Sequence, residues 1–491
     1  MKGMLYVRGL QEIGKMPALR NVAASMLMVL CAAFASEDAS ALPLFARQTG
    51  QECIACHLSF PELTNYGRMF KLTGYTIGER TGVPLSMMGI VSVSKIADKG
   101  LGAGNDPGQY PKDGQIALES GSIFYGGKIT DHLGLFGQWT YNNLNANIDP
   151  VTQKVSFNGH SSVDNTDLRY SNRFDMNGKD VIYGFTLNNN PTAQDVFNTT
   201  PAFGFPFQTS KTAGGWNVNQ SGSGINVPPV ATQLESMGQQ VIGLGAYTYI
   251  NRHVYGELAA YRTADKMFSV FRAGTDRTAD VSVKGYNPYW RVAYTHDWGA
   301  NSVAVGTYGM ISRVNTVNTD PSSPVDRFRD IGFDAQFQHI GDPHAFSGQL
   351  NWIREKQDWD AATHLGVDRD NPTSYLNTFK AKATYYYQRK YGATASYFTS
   401  NTSADCLQYS NNPACPGGAG MGTNLADKND TRGYMFELNY LPIQNVRIAL
   451  QYTMFTKLQG MSSGYALGPD TVTLRNPKDN NLLYLYTWFA F

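Results

Sequence analysis

The sequence predicts an all-β protein: a transmembrane antiparallel β-barrel of about sixteen strands, preceded by a short N-terminal segment with one helix. Strand-like runs of about ten residues alternate apolar and polar side chains after residue 84. Short turns and long polar loops connect these runs in strict alternation, which is the pattern of outer-membrane porins. The chain also ends in an aromatic-rich strand at Phe491.

Composition agrees with a strand-rich exported protein. Among 491 residues there are 49 Gly, 29 Tyr and 25 Phe, residue types that favour strands and tight turns over helices. With 40 Lys+Arg against 39 Asp+Glu, the chain has no basic excess for nucleic acid, so we set that class of partner aside.

Residues 1–41 have the pattern of a secretory signal peptide. Lys15 and Arg20 precede an apolar run that is too short to span a bilayer, and a small-residue cleavage pattern ends at Ala41. A lipoprotein signal at Cys31 is disfavoured because Leu30, a large residue, precedes the cysteine. We therefore expect a protein of the bacterial outer membrane, or one that is secreted or periplasmic, with the signal removed.

The barrel is assigned to residues 84–491, and strand alternation decides its two faces. In the run 446–457, Val446, Ile448 and Leu450 share one face, and Arg447, Ala449 and Gln451 share the other. Similarly, Lys380 and Lys382 oppose Phe379 and Ala381. Lysines at alternate positions need water on their side, and the apolar residues need lipid or a core on theirs.

The connections favour lipid over a soluble core. Short turns are predicted at 130–134, 177–180, 250–253, 297–301, 341–344, 388–392 and 442–445. Long polar loops are predicted at 97–114, 144–163, 189–239, 264–284, 314–326, 358–373, 401–431 and 460–479. Seven turns and eight loops define sixteen strands. Loop 189–239, the longest, is the best candidate to fold inward and narrow the pore, or else it is an external loop.

One motif carries chemistry. Cys53, Cys56 and His57 form the sequence C-x-x-C-H, the attachment pattern of c-type haem. Two thiols at this spacing reach the two vinyl groups of one porphyrin, and the adjacent imidazole ligates the iron. A zinc site would need a second ligand pair nearby, and thiol redox chemistry would need a βαβ context; neither is present. We therefore predict one haem c.

Residues 42–83 are the predicted haem segment, too few to enclose a haem alone, so we expect a plug at the barrel mouth. Ser59 and Glu62 predict a capping box for one helix, with Gly74 ending it. Met69 is the distal ligand candidate, although ordinary packing explains it as well. Arg47, Arg68 and Lys71 are candidates for haem propionate contacts, or else solvated charges.

Two further cysteines bracket a polar loop in the barrel. In an exported protein Cys406 and Cys415 are expected to form a disulfide that closes this loop, rather than two free thiols.

The stretch from residue 41 to 76 resembles the N-terminus of outer-membrane monohaem cytochrome–porin fusions, the iron(II)-oxidising outer-membrane cytochromes c. The resemblance covers R-Q-T-G, C-x-x-C-H, P-E-L-T, G-R-x-F-K-L and G-Y-T; beyond it the similarity is architectural. It implies that Cys53 and Cys56 attach haem and that His57 is the axial ligand. It also implies outer-sphere electron transfer from extracellular Fe(II), or another donor, to a periplasmic cytochrome or cupredoxin.

Two other functions remain open on the sequence alone. A solute porin with a structural or gating haem plug would use the wet lumen, where inward Lys380, Lys382 and Arg447 suit an anion path. A surface adhesin or haem scavenger would use the loops, but a covalently attached haem could not be passed on.

Overall fold

The computed structural model describes residues 43–80, 82–97, 114–148, 155–203, 208–210, 231–274, 281–409, 426–463, 465–466 and 474–491. The predicted signal peptide, Cys31 and Cys415 lie outside these ranges. No helix in the described ranges has the length and apolar character needed to cross a membrane.

Sixteen antiparallel strands close into one barrel, as the sequence predicts. They are β1 Leu85–Ile96, β2 Ile116–Lys128, β3 Leu133–Ile148, β4 Val155–Met176, β5 Lys179–Asn188, β6 Val241–Ile250, β7 Val254–Thr263, β8 Asn287–Trp298, β9 Asn301–Asn315, β10 Val325–Ile340, β11 His344–Asp358, β12 Thr373–Tyr387, β13 Tyr391–Thr402, β14 Thr431–Ile443, β15 Val446–Lys457 and β16 Leu482–Ala490. Each strand pairs with the next along the chain, and β16 pairs with β1 to close the barrel.

All seven predicted short turns occur, and they lie together at one end of the barrel, here called the short-turn end. The connection between β5 and β6 is one of the long loops at the opposite end, as predicted for 189–239. Asn177 and Gly178 show why such turns are tight: both adopt positive φ (53° and 77°), which Asn and Gly tolerate best. By the porin pattern this end faces the periplasm.

The barrel wall is polar on its inner face and apolar on its outer face, the reverse of a soluble protein. On β8, inward Arg291 is 0 % exposed, whereas outward Val292 is 50 % and Tyr294 is 48 % exposed. On β10, inward Asp330 is buried while outward Phe333 is 52 % exposed. An apolar exterior around a polar interior is the arrangement of a barrel embedded in lipid, so the chain is an outer-membrane β-barrel.

The N-terminal segment, residues 43–80, contains three short helices where the sequence predicts one. They are α1 Leu44–Thr49, α2 Cys53–Cys56 and α3 Asn65–Leu72, and a two-stranded hairpin of His57–Ser59 and Glu62–Leu63 lies between α2 and α3. Loops carry α4 Gln233–Ser236, α5 Ala361–His364 and α6 Cys406–Tyr409, together with 3₁₀ turns at Pro201–Phe203, Lys266–Phe271 and Pro477–Asn480.

The predicted capping box is wrong, because the helix begins later. Thr64 is the N-cap of α3, and its Oγ1 accepts a hydrogen bond from the Gly67 amide at 3.2 Å. Ser59 and Glu62 lie in the hairpin instead. Gly74, with φ 73°, follows the helix as predicted.

Candidate functional site

The C-x-x-C-H motif folds as one helical turn followed by an extended residue. Cys53–Cys56 is α2, and His57 then leaves the helix with φ −124° and ψ 130°. The Thr64 amide donates to the Cys56 carbonyl at 2.9 Å, and Thr64 Oγ1 donates to the Ala55 carbonyl at 2.5 Å. The N-cap residue of α3 therefore also fixes the motif.

Gly67 allows α3 to approach the motif closely. A Cβ at this position would lie 2.3 Å from the Cys56 carbonyl oxygen, which is far inside van der Waals contact. The sequence gives no sign of this requirement, because Gly67 reads as an ordinary weak helix residue within G-R-M-F-K-L.

Both motif thiols are unpaired and half-buried. Burial, and then the neighbouring Cys53, raise the pKa of the Cys56 thiol to about 11. Burial also raises the pKa of the Cys53 thiol. Both groups are thus held as thiols near neutral pH, which is the state that adds to a vinyl group.

His57 presents a neutral imidazole. Burial lowers its pKa to about 4, against the raising effect of the Glu62 and Pro61 backbone. Its Nδ1 is buried without a hydrogen-bond partner. The ring packs on Phe60 at 5.3 Å between centroids, and Phe60 stacks on Trp488 of β16 at 5.4 Å.

The motif is attached to the short-turn end of the barrel. Arg389, in the turn between β12 and β13, donates to the Ile54 carbonyl at 3.3 Å. Gln444, in the turn between β14 and β15, donates to the Glu52 carboxylate at 2.6 Å. The sequence places the segment at a barrel mouth without saying which one; these contacts place the motif among the turns.

Glu62 is the main ionic contact between the N-terminal segment and the wall. It is 1 % exposed, pairs with Lys382 of β12 at 3.0 Å and accepts from Gln338 at 2.9 Å and from Ser347. The sequence predicts a capping box for this carboxylate. The only indication of a different partner is that Lys382 lies on the lumen face of its strand and needs a carboxylate there.

The three candidate propionate residues all have protein partners. Lys71 Nζ donates to the Ala193 and Asp195 carbonyls (2.7 and 2.6 Å) and to Asn198 Oδ1 (2.9 Å). Burial, and then Arg169, lower the pKa of Lys71 to about 7, yet three acceptors match the three N–H groups of an ammonium.

Arg68 is 4 % exposed and donates to Ser302 at 2.5 Å, and Arg47 donates to the Val83 carbonyl at 3.3 Å. Haem propionate contacts therefore stay a prediction for Arg47, Arg68 and Lys71. Each side chain would have to give up its present protein partners to make such a contact.

The methionines near the motif differ in direction. Met69 packs against a buried cluster that includes Tyr247 and Phe197, within the lumen. Met87 faces outward and is 48 % exposed, whereas Met88 is 7 % exposed in the cluster that Trp488 joins. A distal ligand role for Met69 stays a prediction, and Met87 lies on the opposite face of the wall.

The loop after β5 folds inward, and its residues 189–203 are here called the inner loop. Asp195, at its centre, pairs with Arg291 Nε of β8 at 3.0 Å, and Arg291 also holds Asp334 of β10 through two bonds of 2.9 and 2.8 Å. All three side chains are at most 5 % exposed. The inner loop contacts the N-terminal segment as well, since Asn198 donates to the Pro61 carbonyl at 2.9 Å.

Each cation that the sequence assigns to an anion path is paired with a carboxylate. Lys380 pairs with Glu235 of α4 at 2.9 Å, and Lys382 pairs with Glu62 at 3.0 Å. Arg447 pairs with Glu437 on the neighbouring strand. The inward direction of the three is as predicted, but their charges are neutralised within the lumen.

Cys406 is disulfide-bonded, and its predicted partner Cys415 lies outside the described residues. Within the described ranges, no group of three or more His, Cys, Asp or Glu side chains is arranged to hold a metal ion.

The residues of the motif fit a c-type haem. Two unpaired thiols stand one helical turn apart, and the next residue carries an imidazole with a buried, unpartnered nitrogen. Aromatic rings of Phe60 and Trp488 extend from the imidazole and provide an apolar surface. This donor set matches two thioether attachments and one axial ligand.

No protein-family model matches the chain, and no curated protein matches it. Among solved structures, the outer membrane channel DcaP of Acinetobacter baumannii is 11% identical with a TM-score of 0.43, and covers 83% of this chain and 96% of its own. The anion-selective porin from Comamonas acidovorans is 12% identical, TM-score 0.39, with 83% and 99% covered. OmpF of Salmonella typhi in complex with daunomycin is 10% identical, TM-score 0.40, with 83% and 97% covered. These TM-scores are too low to support an argument, so the assignment of the fold rests on the strand pairing described above.

Proposed function

We propose that this chain is an outer-membrane cytochrome–porin fusion, in which the barrel holds one haem c in its N-terminal segment and serves electron transfer. The observation that carries the proposal is the C-x-x-C-H turn, with free thiols and an imidazole Nδ1 without a partner, fixed at the short-turn end of a barrel whose lumen is crossed by buried ion pairs. The proposed donor is extracellular Fe(II), and the proposed acceptor is a periplasmic cytochrome or cupredoxin.

The roles of the residues follow from their chemistry. Cys53 and Cys56 would hold the haem through thioethers, formed by addition of each S–H across a vinyl group, which needs no oxidant. His57 would provide a nitrogen ligand for the iron, since its neutral imidazole keeps a lone pair. Phe60 and Trp488 exclude water from this side. Bound haem supplies a one-electron couple, and the chain's part is to hold, orient and shield it.

The position of the motif favours exchange with a periplasmic partner. It lies among the turns at the short-turn end, held by Arg389 and Gln444. The 16-residue β10 spans about 40 Å along the barrel axis at a rise of about 3.4 Å and a tilt of about 40°. The length of the lumen therefore separates a donor on the long-loop side from the motif.

A solute porin with a structural or gating haem plug is the second candidate. The closed sixteen-strand barrel with a polar interior favours it directly, because that architecture is the porin architecture. Two features favour a closed passage instead. The inner loop and the N-terminal segment lie in the lumen, and carboxylates neutralise the cations of Lys380, Lys382 and Arg447.

The first experiment tests haem attachment and donor. Co-expression with the cytochrome c maturation machinery is expected to give a c-type pyridine haemochrome that survives acid-acetone extraction. The Cys53→Ala/Cys56→Ala variant should lose it, and the control variant His364→Gln should keep it. Ferrous iron should reduce the haem in outer-membrane preparations; reduction by another donor alone would overturn the iron assignment and leave the electron-transfer role.

The second experiment separates the two candidates. Holoprotein in planar bilayers is expected to show little steady conductance. A large open-state conductance in the haem-loaded protein would favour the porin function. A barrel that stays colourless after maturation would contradict the presence of haem in both candidate functions.

A further inference from the structure

Five histidines lie at the short-turn end of the barrel. Each stands in or next to a short turn: His132 before β3, His253 before β7, His296 near the end of β8, His339 near the end of β10 and His344 at the start of β11. The sequence shows them only as scattered turn residues. The fold brings them to one rim, and together they are here called the histidine girdle.

The girdle lies on the lipid-facing side of the wall. His296, His339 and His344 share strand parity with outward residues such as Tyr294, Phe337 and Phe346. Four of the five histidine rings stand beside outward aromatics. The ring pairs are His132–Tyr170 (6.0 Å), His253–Tyr294 (5.8 Å), His296–Trp298 (5.4 Å) and His344–Tyr387 (5.6 Å). Outward aromatics near the strand ends mark the level of the lipid headgroups.

Four girdle histidines are anchored in the same way, through Nδ1. The partners are the Ser171 carbonyl for His132 (3.1 Å), the Thr295 carbonyl for His253 (2.9 Å), Asn301 Oδ1 for His339 (2.8 Å) and the Tyr385 hydroxyl for His344 (2.6 Å). Where the acceptor is a carbonyl, Nδ1 carries the hydrogen. This leaves Nε2 as the ring nitrogen that gains a proton and donates to an outside partner.

The charged groups near the girdle are largely matched among themselves. The ion pairs are Lys128–Asp131 (2.9 Å) beside His132, Arg173–Asp180 (2.6 Å) and Arg252–Asp180 (3.9 Å) beside His253, and Arg68–Asp297 (3.9 Å) beside His296. His253 and His296 also face each other at 5.8 Å. Tyr385, Tyr387 and Asp342 are titratable neighbours of His344. Protonation of the girdle therefore adds positive charge to a rim where Asp131, Asp180 and Asp297 already have cationic partners.

We propose that the histidine girdle binds the phosphate groups of anionic phospholipids in the leaflet at the short-turn end, and that it binds them more tightly as pH falls. A protonated imidazole donates a charge-assisted hydrogen bond from Nε2 to a phosphate oxygen. In the four histidines with an Nδ1 bond, that bond fixes the ring at headgroup level, so little side-chain freedom is lost on binding. Histidine is the side chain type that can change charge near physiological pH, so the effect is measured between about pH 5 and 8. The girdle does not involve the haem motif.

Lipid retention by the full-length barrel tests this. Protein in detergent micelles doped with phosphatidylglycerol or phosphatidylcholine is passed over a sizing column at about pH 5.5 and about pH 8. Bound lipid per barrel is then counted by mass spectrometry. Phosphatidylglycerol should be retained about threefold more at the lower pH, with phosphatidylcholine unchanged. The five-fold histidine-to-glutamine variant H132Q/H253Q/H296Q/H339Q/H344Q should lose this difference.

The matched control is H160Q/H364Q, which removes two histidines on the long-loop side and should retain the difference. If the five-fold variant fails to fold, H296Q/H344Q, which changes two exposed side chains, should show a reduced excess. A difference that is absent in the wild type, persists in the girdle variants, or has a midpoint below about pH 5, where carboxylates titrate, overturns the proposal.

Discussion

Arg291 is the residue whose replacement should most clearly separate a buried ion pair from a surface one. Its guanidinium is 0 % exposed and lies between Asp195 of the inner loop and Asp334 of β10, at 3.0 and 2.8 Å. Arg291→Met removes the cation and keeps most of the side-chain volume. Asp195 and Asp334, both at most 5 % exposed, then remain without this cation.

The magnitude follows from what remains around each carboxylate. Breaking a buried pair by removing one partner costs about 3–5 kcal/mol, because the remaining charge is uncompensated. Asp195 keeps backbone donors at Phe197 and Thr199, both at 3.0 Å, and Asp334 keeps the Thr199 hydroxyl at 2.5 Å. We therefore expect the lower end of the range, about 3 kcal/mol, in the free energy of unfolding.

Urea unfolding in lipid vesicles, followed by tryptophan fluorescence, measures this. The control is Arg262→Met, because Arg262 pairs with Asp265 at the similar distance of 2.9 Å but its side chain is 36% exposed. That pair should contribute about 0.2–1 kcal/mol. A triple variant that adds Asp195→Asn and Asp334→Asn should recover stability. Equal losses for Arg291→Met and Arg262→Met would refute the reasoning.

Three further predictions concern the N-terminal segment. Gly67→Ala should sharply lower haem c incorporation, measured by pyridine haemochrome, because its Cβ would meet the Cys56 carbonyl at 2.3 Å; Gly82→Ala, with open space around it, should not. Glu62→Gln should cost about 3 kcal/mol in unfolding free energy by leaving Lys382 unpaired, and adding Lys382→Met should restore part of it; no recovery would contradict a direct pair. In the apoprotein with Cys53→Ala, alkylation of Cys56 should keep accelerating beyond pH 9.0, because burial, the larger cause of its raised pKa, remains; a plateau near 9.0 would contradict burial of the thiol.

The barrel was predictable because its signals are local. Alternation of side chains along a strand fixes which residues face the lumen, and turn residues such as Asn177 and Gly178 fix where strands end. The inward direction of Lys380 and Lys382 follows from the same rule. The difference between Met87 and Met88 does as well, since adjacent strand residues face opposite sides.

The partners inside the lumen were not predictable, because they join distant parts of the chain. Ser59 and Glu62 satisfy the local signature of a capping box, but Glu62 instead finds Lys382 across the lumen. The C-x-x-C-H motif is equally local, and its chemistry is predicted from spacing alone. Its position among the turns depends on Arg389 and Gln444, and no sequence pattern links them to it.

The contacts inside the lumen also bear on how the barrel could open. The N-terminal segment is held to the wall through Glu62 and Lys382, and the inner loop is held to the wall through Asp195 and Arg291. Lys71 then joins the segment to the inner loop through three hydrogen bonds. Removal of the segment alone would leave the Lys71 acceptors unsatisfied and the inner loop still across the lumen, so a gate made only of the segment would not clear a path. An open pore requires both parts to leave together, at the cost of two buried ion pairs, and this favours a permanent scaffold for the motif over a gate.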